Sequence, residues 1–284
     1  MAKRYYNLEK ETKALLKKWE ARNGVLPSMQ GIHNVNDYIL RKKGLGQLVG
    51  GIGKRAASFN ATNKQYLTIP SNSSLGIATN LTMAAWFMTT ATGQQWFINK
   101  VITNGQYTYA LGMIGDKLWL YLSQDGTATQ IKDYRSSASF NTGVPVFVCG
   151  TFDNGTTRLF ANGAELTGSA LNKNTNYAIT TIKIGTSPLG VGWDGTTSYS
   201  SGTTGPNFLL SRTLTATEIT YLYNSGLGRS YLEILAYQPS LLTNMVSYWP
   251  LNESSGTRFD YHGSNNLTAI NNPLSTSGVV EELF

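Results

Sequence analysis

The stretch from Val144 to Gly163 constrains this chain more than any other. Val144, Val146, Val148 and Phe152 alternate with Pro145, Phe147, Cys149 and Thr151. A turn of Asp153, Asn154 and Gly155 follows, then Thr157-Arg158-Leu159-Phe160-Ala161, then Asn162-Gly163. Alternation with period two sends successive side chains to opposite faces of a strand. Asn-Gly supplies the positive φ angles that a tight hairpin requires. The same grammar starts near Ala56 and persists to about residue 230. Hairpins in such succession build antiparallel sandwiches, a scaffold used for binding and for assembly.

Further strands are predicted at Tyr66–Ile69, Leu81–Met88, Gln95–Lys100, Tyr107–Met113, Lys117–Leu122, Ala128–Asp133 and Thr181–Gly185. Leu81–Met88 is apolar on both faces, as befits a central strand covered on each side. Thr215–Tyr223 reads as one short helix behind a threonine cap. The 284 residues suffice for a full core. The β domain is placed at 56–230, preceded by a basic helical region, 1–46, and a Gly-rich connector, 47–55.

The N-terminal region reads as two amphipathic helices. Leu8, Thr12, Leu15, Leu16 and Trp19 recur at helical spacing, with Lys10, Lys13, Lys17 and Lys18 mostly on the other side. Asn23-Gly24 and Pro27 end the first helix. Ser28 caps a second, which carries Met29, Ile32, Val35 and Ile39 and ends at Lys42-Lys43-Gly44. A pair this short cannot form a core alone and has to pack on something else.

The net charge of +7 is unevenly distributed. Residues 1–55 hold twelve Lys/Arg against four Asp/Glu, a net of +8, and the remainder holds eleven against twelve, a net of −1. The single cysteine, Cys149, excludes a disulfide framework within the chain and reads as a small buried hydrophobe. With only His33 and His262 as imidazoles, a structural zinc site is not expected. No apolar run approaches the roughly 20 residues that cross a bilayer. Met1–Tyr6 is basic without an apolar segment, so a secretory signal is not expected there.

Several motifs taken in order resemble a laminin-G-like domain of the concanavalin A-like jelly-roll superfamily. They are Ala57-Ser58-Phe59-Asn60, Tyr66-Leu67-Thr68-Ile69-Pro70 and Leu81-Thr82-Met83-Ala84-Ala85-Trp86-Phe87 at the front. Phe152-Asp153-Asn154-Gly155-Thr156, Leu159-Phe160-Ala161-Asn162-Gly163, Ile182-Lys183-Ile184-Gly185 and Leu214-Thr215-Ala216-Thr217-Glu218-Ile219 follow. The resemblance implies an all-β sandwich of two antiparallel sheets, here behind a short N-terminal α-helical hairpin. Val246 to Thr257 resembles the segment that ordinarily opens such a domain, yet here it follows it. Residues 231–284 therefore either fold back as a circular permutation or add strands to a neighbouring subunit. The stretch from Arg4 to Leu45 resembles a leader found ahead of such domains in bacteriophage structural proteins. That resemblance implies a virion component synthesised in a bacterial cytoplasm.

The same fold houses glycan hydrolases, whose retaining members resemble one another in a Glu-x-Asp-x-x-Glu strand bearing nucleophile and acid/base. No such run exists here. Asp116, Asp125, Asp133, Asp153, Glu165, Asp194, Glu218 and Glu233 are scattered singly, and Glu281-Glu282 is a terminal pair. Catalysis is not expected, and neither is a cofactor. Gly190–Gly205 reads as a long flexible loop whose Trp193 and Tyr199 offer aromatic faces to a sugar ring. The alternatives are an ordinary surface loop or a subunit contact. Asp194 offers one ligand to calcium, too few for a hard cation on its own. Lys13, Lys17, Lys18, Arg22, Arg41, Lys42 and Lys43 are the candidate anchor, facing a protein partner or else nucleic acid or anionic lipid. Together these readings point to a non-enzymatic virion protein, homo-oligomeric with other virion proteins as partners, that displays a jelly roll for assembly or host-surface contact. The alternative is a lectin-like module with no virion role.

Overall fold

The computed structural model describes residues 55–101 and 106–277. The expected helices, the connector up to residue 54 and the seven anchor residues from Lys13 to Lys43 lie outside the described residues. In chain order the strands are β1 (Arg55–Phe59), β2 (Tyr66–Ile69), β3 (Asn80–Met88), β4 (Gln95–Asn99), β5 (Tyr109–Ile114) and β6 (Lys117–Ser123). They continue with β7 (Ile131–Ser136), β8 (Val146–Asp153), β9 (Thr156–Ala161), β10 (Ala164–Glu165) and β11 (Leu171–Asn176). The last five are β12 (Leu189–Val191), β13 (Gly202–Leu210), β14 (Met245–Trp249), β15 (Thr268–Ile270) and β16 (Leu274–Ser277). Two helices, α1 (Ala216–Tyr223) and α2 (Tyr231–Tyr237), lie between β13 and β14.

The strands form two antiparallel sheets. The first runs β10-β9-β8-β3-β13-β1-β16, with β14 on the other half of β13; the second runs β11-β7-β6-β5-β4-β12-β2-β15. Between them lies the main core, in which Met83, Ala85 and Phe87 of β3 meet Leu111, Leu120 and Leu122 of the second sheet. Ala84 and Trp86, the alternate residues of β3, enter a second cluster with Phe147, Phe208, Ile219, Leu222 and Ile234, so α1 and α2 cover the outer face of the first sheet. This is why Leu81–Met88 is apolar throughout: β3 is buried on both faces and paired on both edges, to β8 and β13. Each fully buried side chain of this size contributes about 1.5–3 kcal/mol. Cys149 belongs to the second cluster, and burial pushes its thiol pKa up, away from nucleophilic use. The sheets approach closely at Gly150, where a Cβ would lie 2.7 Å from Leu120 Cδ1.

Three local expectations shift. Ala128–Asp133 begins later, as β7, because the Asp125 carboxylate gathers Thr127 N (2.8 Å), Thr127 Oγ1 and Thr129 Oγ1 (3.0 Å) into a turn. Thr181–Gly185 is no strand. Its amides donate to two different segments, Ile182 N to Ala78 O and Lys183 N to Ser123 O, so no ladder forms. The helix after Thr215 has the expected cap, whereas α2 was not anticipated from the sequence. It carries the same capping box, Ser230 with Glu233.

The C-terminal segment pairs within the chain. β14 joins β13, β15 joins β2 and β16 joins β1, with Arg55 opposite Ser277. Tyr248, Trp249 and Leu251 are buried. Asp260 holds the loop behind β14. Its Oδ1 accepts from the backbone N–H of Tyr248 (3.0 Å), His262 (3.0 Å) and Gly263 (2.9 Å), and its Oδ2 from that of Asn265 (3.0 Å).

Candidate functional site

The outward side of the second sheet carries the aromatic residues that the core does not use. On β6, Leu118, Leu120 and Leu122 enter the core, so Trp119 and Tyr121 point the other way. Trp96 of β4 and Ala110 of β5 share that face. The Trp96 and Trp119 ring centroids are 5.0 Å apart, and Tyr121 meets Trp119 edge-on at 5.4 Å. Trp119 Nε1 donates to Asp133 Oδ1 (2.6 Å), and Arg135 forks onto the same carboxylate through Nε (3.1 Å) and Nη2 (2.9 Å). That places the guanidinium 5.6 Å from the Trp119 ring centroid. One carboxylate thus orients both an aromatic platform and a cation.

The expected loop Gly190–Gly205 is not a loose excursion. It starts in β12, turns through a hairpin bridged at Trp193 and Tyr199, and runs on into β13. Asp194 holds the turn: its Oδ1 accepts from Thr196 N (2.7 Å) and Ser198 N (3.0 Å). Gly192 N donates to Trp96 O (2.7 Å), and Trp96 N to Ser200 Oγ (2.8 Å), which stitches the hairpin to β4. Among the sequence candidates, Trp193 and Tyr199 come together and Asp194 supports them from below. Tyr66 of β2 completes the group, with centroids 4.5 Å from Trp193 and 6.0 Å from Tyr199. Burial and the adjacent Tyr199 push the Tyr66 phenol pKa up. All three rings are half-buried.

Between the two aromatic groups sits Asn99, 1% exposed. Its Nδ2 donates to Val101 O and Trp193 O, both at 3.1 Å. Its Oδ1 has no partner, and neither does Trp96 Nε1 or Trp193 Nε1, although all three atoms are buried. These three atoms are enclosed beneath the aromatic surface of this face. Tyr66, Trp96, Asn99 and Trp119 were not singled out from the sequence. The signal was the parity of each strand: in Lys117–Ser123 the leucines alternate with Trp119 and Tyr121.

Several other charges among the described residues have structural partners. Lys100 is fully buried and donates to Ser71 Oγ (2.9 Å), Gly185 O (3.0 Å) and Ser187 O (2.5 Å), and burial lowers its pKa to about 8. Asp116 pairs with Lys117, Glu165 with Arg158, Glu218 with Arg212 and Glu233 with Arg229. Among the described residues, no three His, Cys, Asp or Glu side chains gather where a metal ion could be held. The Asp194 carboxylate already serves its own turn, through Thr196 N and Ser198 N.

Known proteins locate this architecture. The profile described as the concanavalin A-like lectin/glucanases superfamily, laminin-G type, matches residues 61–220. No curated protein matches the chain. A candidate carbohydrate binding protein from Bacteroides ovatus superposes with a TM-score of 0.55 at 16% identity, over 80% of this chain and 60% of that one. The chain therefore spans about three-fifths of that protein's length. The heptameric SAP-like pentraxin of Limulus polyphemus is also similar (TM-score 0.46, 16% identity, 62% of this chain and 84% of that one). So are domains LG4-5 of the mouse laminin α1 chain (0.44, 12%, 61% and 46%). At such identities the likeness concerns fold alone. With more than half its length matched in sequence and both antiparallel sheets in place, this chain belongs to the laminin-G-like group of the concanavalin A-like lectin/glucanase superfamily.

Proposed function

We propose that this chain is a non-enzymatic, lectin-like binding module, and that it displays its sandwich on a bacteriophage virion to contact glycans of the host surface. One observation carries the glycan reading: Tyr66, Trp193 and Tyr199 form a cluster of half-buried aromatic rings on the outward side of the second sheet, with half-buried Trp119 on the same side. A pyranose offers an apolar C–H face to such rings, and its hydroxyls remain hydrated at the rim. The partnered, dispersed carboxylates support binding without hydrolysis.

The virion part rests on the resemblance of residues 4–45 to phage leaders and on the concentration of basic charge before residue 56. In this reading the helices dock Lys13, Lys17, Lys18, Arg22, Arg41, Lys42 and Lys43 on acidic surfaces of other virion proteins, in a homo-oligomer.

A glycan array probed with the intact chain and with Trp193→Ala tests the binding reading. Saturable binding lost in the variant is expected. An array without any hit defeats it. Light scattering of the intact chain beside one lacking residues 1–54, over a range of salt, tests the anchor. An oligomer that dissociates without the leader is expected, and a monomer in both cases overturns it.

A further inference from the structure

We infer that two copies of this chain meet through α2 and the turn leading into it, which makes the helix-bearing side of the sandwich a subunit contact. This rests on the homo-oligomer proposed above and names the surface through which its sandwiches touch. Seven large hydrophobic side chains stand exposed among the described residues. Three of them, Leu227 (38%), Leu235 (39%) and Tyr237 (57%), belong to α2 and the turn ahead of it. α2 turns Ile234 into the cluster beneath it, while Leu235, Ala236 and Tyr237 remain in solvent. A surface helix that already buries one apolar face ordinarily carries polar residues on the other. Apolar side chains grouped on an exposed surface mark a site of contact.

The charges around this group decide the partner. From residue 211 to 244 the chain has four charged residues, all half-buried and in closed pairs: Arg212 with Glu218 at 2.7 Å and Arg229 with Glu233 at 3.2 Å. On the neighbouring hairpin of β9 and β10, Arg158 pairs with Glu165. Elsewhere single charges are exposed, as at Lys64, Asp153 and Lys173. The surface of α2 thus offers leucine, alanine and tyrosine, and its cations are already matched. A phosphate backbone, an anionic lipid surface or an acidic protein would need cations there. A second copy brings the same uncharged side chains, and a two-fold axis sets them together without like-charge repulsion. The cores of subunit interfaces have this composition, rich in aromatic residues and poor in charged ones.

The placement agrees. α1 and α2 cover the outer face of the first sheet, whereas Tyr66, Trp119 and Trp193 stand on the outward side of the second. Pairing through α2 leaves that aromatic face open. A patch anchored by three large side chains is small against the roughly 800 Å² per partner of a stable interface. The contact is therefore weak by itself, and subunits joined through the leader supply the effective concentration that closes it.

Cys149, the only cysteine, is fully buried, so an introduced thiol reports the contact. The intact chain carrying Tyr237→Cys is oxidised with copper phenanthroline beside one carrying Thr197→Cys, an exposed position in the Trp193–Tyr199 hairpin. A disulfide-linked dimer is expected from the first, in at least fivefold higher yield than from the second. Adding Leu227→Glu and Leu235→Glu to the Tyr237→Cys chain should lower that yield at least fivefold. If light scattering shows an oligomer, yet Tyr237→Cys crosslinks no better than Thr197→Cys, this inference falls and the homo-oligomer stands. If the chain is monomeric at every concentration, both fall together.

Discussion

Lys100→Met isolates the cost of one buried charge. The Lys100 ammonium is fully buried, and its three partners are two carbonyls and a hydroxyl, with no carboxylate among them. Burial lowers its pKa from 10.5 to about 8. Below the folded value both states hold the proton, and the folded protein bears the full desolvation cost. Between about 8 and 10.5 the folded protein has released the proton while the unfolded chain still binds it, so stability rises with pH. The slope is about 1.4 kcal/mol per pH unit, and the whole window amounts to about 3 kcal/mol. Methionine has similar volume and no titration. The variant also removes three hydrogen bonds; Gly185 O keeps the Ser71 hydroxyl as donor, and an acceptor such as Ser187 O that is left without one costs about 1–3 kcal/mol where water cannot reach it. That loss is independent of pH. All other titrating groups are shared, so they cancel in the difference between the two proteins. Urea unfolding of both, from pH about 7 to about 9.5, should show the native chain gaining about 2 kcal/mol on the variant, most of it above pH about 8. Parallel pH profiles would refute the claim that the Lys100 charge is held out of water.

Asp260→Ala should cost roughly 3–5 kcal/mol, because four backbone N–H groups lose one buried acceptor together. Thermal unfolding checks this, and a loss below about 1 kcal/mol would show that water replaces the carboxylate. Gly163→Ala combines a φ of +79° with a Cβ only 2.8 Å from Tyr223 Cδ1, whereas at Gly168, φ +55°, nothing lies within 4 Å. The first should cost about 2 kcal/mol more than the second in chemical denaturation, the difference being the clash. Ser230→Ala removes the N-cap of α2 and should cost about 1 kcal/mol. Faster hydrogen exchange confined to the first turn of that helix is the accompanying sign.

Much of the fold was written in local signals. The Asn154-Gly155 and Asn162-Gly163 turns sit where positive φ is needed, and β8 and β9 pair around the first of them from Val148↔Ala161 to Asp153↔Thr156. The Thr215-x-x-Glu218 box was legible for the same reason, since a cap is made by residues three apart. Ser230-x-x-Glu233 carried the same signal and opened α2. Thr181–Gly185 misled because an extended apolar pattern does not say whether a partner strand lies beside it. The candidate site was half legible. Trp193 and Tyr199 were visible as aromatics in a glycine-rich stretch, but Tyr66, Asn99 and Trp119 come from three other strands.

By itself, the sequence determined the sheet-forming periodicity, the turns, the caps and the placement of basic charge before residue 56. Each depends on neighbours within a few residues, where backbone sterics and side-chain spacing act directly. Only the tertiary structure decided that residues 245–277 supply β14, β15 and β16 to both sheets of their own domain. Strand pairing is a contact between segments up to 222 positions apart, as at Arg55 and Ser277. Nothing in either segment names its partner. The same holds for the outer face of the second sheet, where β2, β4, β6 and the hairpin after β12 meet. Its aromatic residues come together only because the order of strands in the sheet differs from their order in the chain.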